Sequence, residues 1–196
     1  MMLGRTPSAW FRKLEVVVLM ETFARAFDVE PPRLGGLSAN GALTMFREFT
    51  AACMEAALED ERVTAFVRGR LVEEAQRLGR AVRCVMTAGQ PVRLAQLNKL
   101  WCSNRLTCSA RPQSTFRVVR YLYRGIGIEL TGSVPGALRF GPCSFAQRYT
   151  PKDCHLMSAF DEGFICGIMG VEGTLCLDCR LTEGAACCCA RLEEDG

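Results

Sequence analysis

The sequence predicts an α+β fold: a helical N-terminal half, a small antiparallel sheet, and a C-terminal helix followed by a cysteine-rich β-hairpin. Three observations predict it. Apolar residues recur at helical spacing in three stretches before residue 80. Short β-type runs bounded by glycine turns follow residue 125. The last third then joins a strong helix-start signal to a hairpin pattern. At 196 residues, with 49% hydrophobic and 23% charged residues, a single domain over 1–196 is expected. It is mainly helical over 1–110 and α+β over 111–196, and long enough to bury a core without disulfides.

The elements follow in order. Ser8 to Phe27 places Phe11, Leu14, Val17, Val18 and Phe23 near helical spacing, and Pro31-Pro32 with Gly35-Gly36 close the segment. Ser38 or Asn40 can cap a second helix carrying Leu43, Phe46, Phe49, Cys53 and Ala57 along one face. A third helix, from about Glu61 to Arg80, buries Val63, Phe66, Val67, Leu71, Ala75 and Leu78. Its polar face presents Arg70, Glu73, Glu74 and Arg77 as close ion pairs. Pro91 to Trp101 reads as a short helix, and Arg111-Pro112 marks a break. Phe116 to Tyr123 suits helix or strand alike. A strand over Gly125 to Leu130 and a returning strand over Leu138 to Tyr149 come next. Thr150 can cap a last helix with Pro151 at its first position and Asp153 in its first turn, ending at Gly170. Gly173 to Thr182 and Ala186 to Leu192 pair as antiparallel strands around Glu183-Gly184.

Charge excludes one class of function. The formal net charge is +3 and the arginines are dispersed among acids, so nothing favours nucleic acid. The longest apolar run near the start, Val16 to Met20, is flanked by Glu15 and Glu21. It is neither a signal-peptide core nor a membrane span, so no membrane partner and a cytoplasmic location are expected. A reducing compartment makes a disulfide framework the less expected use of the cysteines.

Those cysteines are the chain's main chemical signal. Eight of twelve lie between Cys143 and Cys189. Cys154 starts the last helix, Cys176 and Cys179 form a C-x-x-C on the next strand, and Cys187 or Cys188 returns opposite Cys179. Four thiolates converging this way make a zinc site or hold an iron–sulfur cluster; the alternative is a metal-free reduced cluster. In a regular strand Cys176 and Cys179 face opposite ways, so a shared metal requires a bulge or a strand end. His155 is the only histidine, which excludes zinc sites built on two or three histidines. Cys53, Cys143, Cys166 and Cys189 read as packing residues.

Two resemblances follow from these residues. The run Cys154, Gly163, Gly170, Cys176-x-x-Cys179, Gly184, Cys188 resembles the tail of the 4-vinyl reductase-type ligand-binding domain. That resemblance implies zinc ligands at Cys154, Cys179 and Cys187 or Cys188, with Cys176 in place of the family's acidic ligand. The interval from helix to strand is one residue shorter here, and Gly184 falls one residue late if Cys187 is the ligand. Phe46-Arg47-Glu48-Phe49-Thr50, Arg70-Leu71, Ala75, Leu78-Gly79 and Cys154, Asp161-x-Gly163 resemble the L-2-amino-thiazoline-4-carboxylic acid hydrolase-like family. It implies a small-molecule hydrolase that opens a cyclic amidine ring.

Ring opening needs attack on the carbon between nitrogen and sulfur and an acid for the leaving atom. Cys154 is a candidate nucleophile or metal ligand, His155 a candidate acid/base, and Asp161 or Glu162 a candidate base. Helical geometry puts Cys154, Met157, Ser158 and Asp161 on one face, with His155 and Glu162 on the neighbouring one. Asp161 and Glu162 equally suit solvated helix charges. The alternative function is a non-catalytic ligand-binding or sensor domain with a structural zinc, its pocket drawn from Phe46, Phe49, Phe66, Met157, Phe160, Phe164 and Met169. A third is a subunit or interaction protein in which the cysteine tail only packs. A small-molecule substrate or ligand is the expected partner, and a homodimer fits the composition equally well.

Overall fold

Ser8, Ser38 and Thr150 each hold an extended backbone and accept a hydrogen bond on the side-chain oxygen from an amide three residues on. Each satisfies one of the orphan donors of a helix start. The computed structural model describes residues 8–87, 112–133 and 136–194. The helices so started are α1 (Ala9–Phe27), α2 (Ala39–Ala57) and α5 (Pro151–Met169). Two further helices are α3 (Glu61–Thr87) and α4 (Pro112–Gly125). At α5 Thr150 and Asp153 form a reciprocal capping box, Pro151 occupies the first turn, and Gly170 ends the helix in the left-handed conformation (φ 72°).

Four strands, β1 (Ile128–Gly132), β2 (Ala137–Cys143), β3 (Gly173–Cys179) and β4 (Cys188–Glu194), form one antiparallel sheet in the order β1-β2-β4-β3. Alternation sends Leu130, Leu138, Phe140, Leu175, Ala190 and Leu192 into the core. Arg191 and Asp178 pair on the opposite, open face at 2.9 Å.

The long helices α3 and α5 are in backbone contact. A β-carbon placed at Gly163 would stand 2.1 Å from the Val72 carbonyl oxygen, and one at Gly167 2.3 Å from that of Gln76. Glycine is therefore required at both places for steric rather than conformational reasons. Beneath them Phe23 packs on Phe46 and Phe160, with ring centroids 5.4 and 5.1 Å apart. The buried Thr50 hydroxyl bonds Tyr149 and ties α2 to the loop before α5.

The α+β expectation holds, and the differences have local causes. Phe116 to Tyr123 is helical, within a helix whose first residue is the Pro112 expected to mark a break. The strand expected from Gly125 begins only at Ile128, after α4 has run through Gly125 and a turn has used Gly127 at φ 81°. β2 stops at Cys143, and residues 144–148 turn instead of extending. α3 continues past Arg80 to Thr87. Phe66, expected in the core, is 62% exposed beneath the Arg70 guanidinium, whereas Glu74, expected on the surface, is buried against Arg77 at 2.8 Å. Cys84 is disulfide-bonded, a use of cysteine the compartment argument disfavoured; the other nine cysteines among the described residues are in no disulfide. The helix expected over Pro91 to Trp101 lies outside the described residues. No described helix is long and apolar enough to cross a membrane.

Candidate functional site

Between the inner face of the sheet, α1, α2 and the first half of α5 lies a small cleft open to solvent. Its walls are largely apolar, with Phe23, Phe46, Phe140, Phe145 and Phe160 contributing rings. Seven residues bring other chemistry: Asp161, Arg180, Tyr149, Ser158, Cys143, Cys154 and Cys188. A mostly apolar concavity with a few convergent polar groups is the usual form of a small-molecule site.

The helical period positions the α5 contribution. Cys154, Met157, Ser158 and Asp161 all line the cleft, as the shared helical face predicts. The neighbouring face does something else. Glu162 is buried, accepts the Leu175 amide at 3.2 Å and faces Arg68 at 3.4 Å, fastening β3 and α3 to α5. His155 is exposed, outside the lining, and its Nδ1 stands 3.0 Å from Arg180 Nη2. An arginine only donates, so this nitrogen is the acceptor and the proton sits on Nε2. His155 therefore holds Arg180 at the rim rather than reaching into the cleft. Arg180 also faces Glu183 at 3.3 Å, and its buried Nε has no partner.

Asp161 is the electrostatic centre. Burial pushes its carboxyl up to about 7, against a hydrogen bond that favours the charged form. That bond comes from the Tyr123 hydroxyl, which donates to Oδ1 at 2.6 Å. Burial, and then the Asp161 charge, hold the Tyr123 phenol well above its ordinary value. The same two influences act on the thiols. Burial raises Cys154 to about 11 and lifts Cys143 and Cys188, with Asp161 adding to each. At neutral pH the cleft thus offers three protonated thiols and one carboxyl poised between its two forms.

The expected four-cysteine set does not come together. β3 carries an extra residue between Leu177 and Cys179, where the pairing passes from Leu177–Ala190 to Cys179–Cys189. This bulge turns Cys179 to the same open face as Cys176, the condition a shared ligand set requires. β4 and the bend before it then divide the rest. Cys188 faces the cleft, while Cys187 and Cys189 stand with Cys179 on the other side. Cys176 lies apart beside Glu193 and Arg191. Among the described residues no group of three or more His, Cys, Asp and Glu side chains is placed to hold a metal ion.

Sequence reasoning missed Cys143, Arg180 and Tyr149 at the cleft and Tyr123 as the partner of Asp161. Tyr123 stands 38 positions before Asp161, and no local pattern links them. Cys143, read as packing, lines the cleft because β2 ends there and turns its last side chain inward. Of the aromatic and methionine residues expected to form a pocket, Phe46, Met157 and Phe160 do so, while Met169 is core. Cys166 is buried as expected.

The chain matches no protein-family model, no curated protein and no solved structure.

Proposed function

We propose that the cleft binds a compact, largely apolar molecule that presents a protonatable nitrogen to Asp161. One observation carries this reading: the cleft's single carboxyl, bonded by Tyr123 among largely apolar walls, is pushed by burial up to about 7. A cationic nitrogen beside it favours the carboxylate and recovers part of the cost of its burial. Aromatic walls supply the remaining affinity through shape and apolar contact.

A reaction is the second reading of the same site, and the Asp161 value favours it. A carboxyl titrating near neutrality is suited to taking a proton from water and returning it. For a thiazoline-type cyclic amidine, water adds to the carbon between nitrogen and sulfur and gives its proton to Asp161. The carbon–sulfur or carbon–nitrogen bond then breaks, and the departing atom takes that proton. Cys154 is not the nucleophile in this scheme, because its thiol is protonated at neutral pH. Its place is on the wall. His155 serves by holding Arg180.

The experiment is calorimetric titration with 2-aminothiazoline, from pH 6 to pH 8, of the wild type and Asp161→Asn. Binding by the wild type that the variant loses supports the reading; equal binding by both, or none by either, overturns it. Release of a ring-opening product by the wild type, and not by Asp161→Asn, separates the hydrolase from the binding module.

A further inference from the structure

On the open face of the sheet, away from the cleft, three thiols stand together. Cys187 Sγ and Cys189 Sγ are 3.5 Å apart, and Cys179 Sγ donates to the Cys187 carbonyl at 3.3 Å. All three are free and half-buried. Cys179 and Cys189 are also directly opposite one another in the β3–β4 ladder. Directly paired residues in an antiparallel ladder have Cα atoms about 4.5–5.5 Å apart, which lies inside the range of about 4.4–6.8 Å that a disulfide spans. Cys187 lies in the bend before β4 and is not among the paired residues of the β3–β4 ladder, so the ladder sets only Cys189 face to face with Cys179. The bulge beside Cys179 supplies local give in the strand that must adjust.

We propose that Cys179 and Cys189 form a reversible cross-strand disulfide by exchange with small-molecule disulfides. The thiolate of one cysteine attacks the sulfur–sulfur bond of the small disulfide, forming a mixed disulfide and releasing one small thiol, which takes up a proton. The thiolate of the second cysteine attacks the protein sulfur of that mixed disulfide and releases the second small thiol. Two thiols of the protein are oxidised and one small disulfide is reduced to two thiols. Cys187 is the neighbour through which the mixed disulfide can pass, since its sulfur already touches that of Cys189. The site is independent of whatever the cleft binds, because its three side chains lie on the open side of the β3–β4 hairpin.

The test equilibrates the reduced full-length protein with glutathione at increasing ratios of oxidised to reduced form. Remaining thiols are then alkylated and the protein is digested with trypsin. The expected product joins the peptides Asp153–Arg180 and Leu181–Arg191, with fragmentation placing the bond between Cys179 and Cys189. Beyond the thiols that the Cys84 disulfide takes up, alkylation falls by two, and excess reduced glutathione restores them. Cys179→Ala abolishes the linked pair, and Cys187→Ala retains it. Only glutathione adducts, a bond placed between Cys187 and Cys189, or no loss of alkylation would each overturn the proposal. Because the mapping is done on the wild type, a variant that fails to fold leaves the outcome decided.

Discussion

Asp161→Asn should make the protein more stable at pH 8 and alter it little at pH 4. The carboxyl titrates near 7 in the folded chain, against an ordinary value of 3.8. Each tenfold difference is worth about 1.4 kcal/mol, so ionising Asp161 in place costs up to about 4 kcal/mol. The sign follows from proton counts. Between pH 4 and 7 the folded chain keeps a proton that the unfolded chain has lost, so stability falls as pH rises through that window. Below pH 4 both states hold the proton and the penalty vanishes. An asparagine still accepts the Tyr123 hydroxyl but cannot ionise. Urea unfolding of both proteins at half-unit intervals from pH 4 to 8 should give curves that separate across the window and run parallel beyond it. Tyr123→Phe removes a bond that favours the carboxylate, so its separation from Asp161→Asn should extend above pH 7. Wild-type and Asp161→Asn curves that stay parallel throughout would refute the reasoning, because Asp161 would then be ionised at no cost.

Two further substitutions test the frame around the cleft. Gly167→Ala should lower stability by roughly 2 kcal/mol although alanine is the better helix former, because its methyl meets the Gln76 carbonyl. Gly69→Ala, with nothing within 4 Å of its β-carbon, is the control and should gain up to about 1 kcal/mol; thermal melts of the pair decide it. Glu15 is half-buried, its carboxyl is raised well above its ordinary value by desolvation, and its buried Oε2 is unpartnered beside an apolar cavity. Glu15→Met should therefore stabilise the protein by about 1–3 kcal/mol at pH 8, and a loss of stability in urea would count against an unpaired carboxyl there.

What was legible in the sequence was what is decided locally. The start and end of α5 follow from Thr150, Pro151 and Gly170, each acting within one turn of its own position. The face shared by Cys154, Met157, Ser158 and Asp161 follows from the helical period alone. The hairpin of β3 and β4 was legible as a pairing but not as a register. A single extra residue after Leu177 decides which face Cys179 takes, and nothing in Leu-Asp-Cys marks where a bulge must fall. The bond from Tyr123 to Asp161 and the entry of Arg180 into the cleft depend on how elements meet. They could not be read before the fold existed.

The run Cys187-Cys188-Cys189 shows how one period decides chemistry. A strand alternates, so consecutive cysteines part company; β4 gives Cys188 to the cleft and Cys189 to the open face, where Cys187, in the bend just before the strand, joins it. The causes acting on the two sets differ. On the cleft side burial comes first and the charge of Asp161 adds to it. On the open side Cys189 is pushed up to about 12 chiefly by hydrogen bonds with Cys179 and Cys187. A cationic ligand beside Asp161 stabilises its carboxylate and alters the field felt by Cys154 and Cys188, while an oxidant that pairs Cys179 with Cys189 removes the thiol–thiol contacts and leaves that field in place. The two sets should respond to different stimuli, although Cys188 and its neighbours share a backbone. A cysteine count made along the sequence joins what the strand keeps apart.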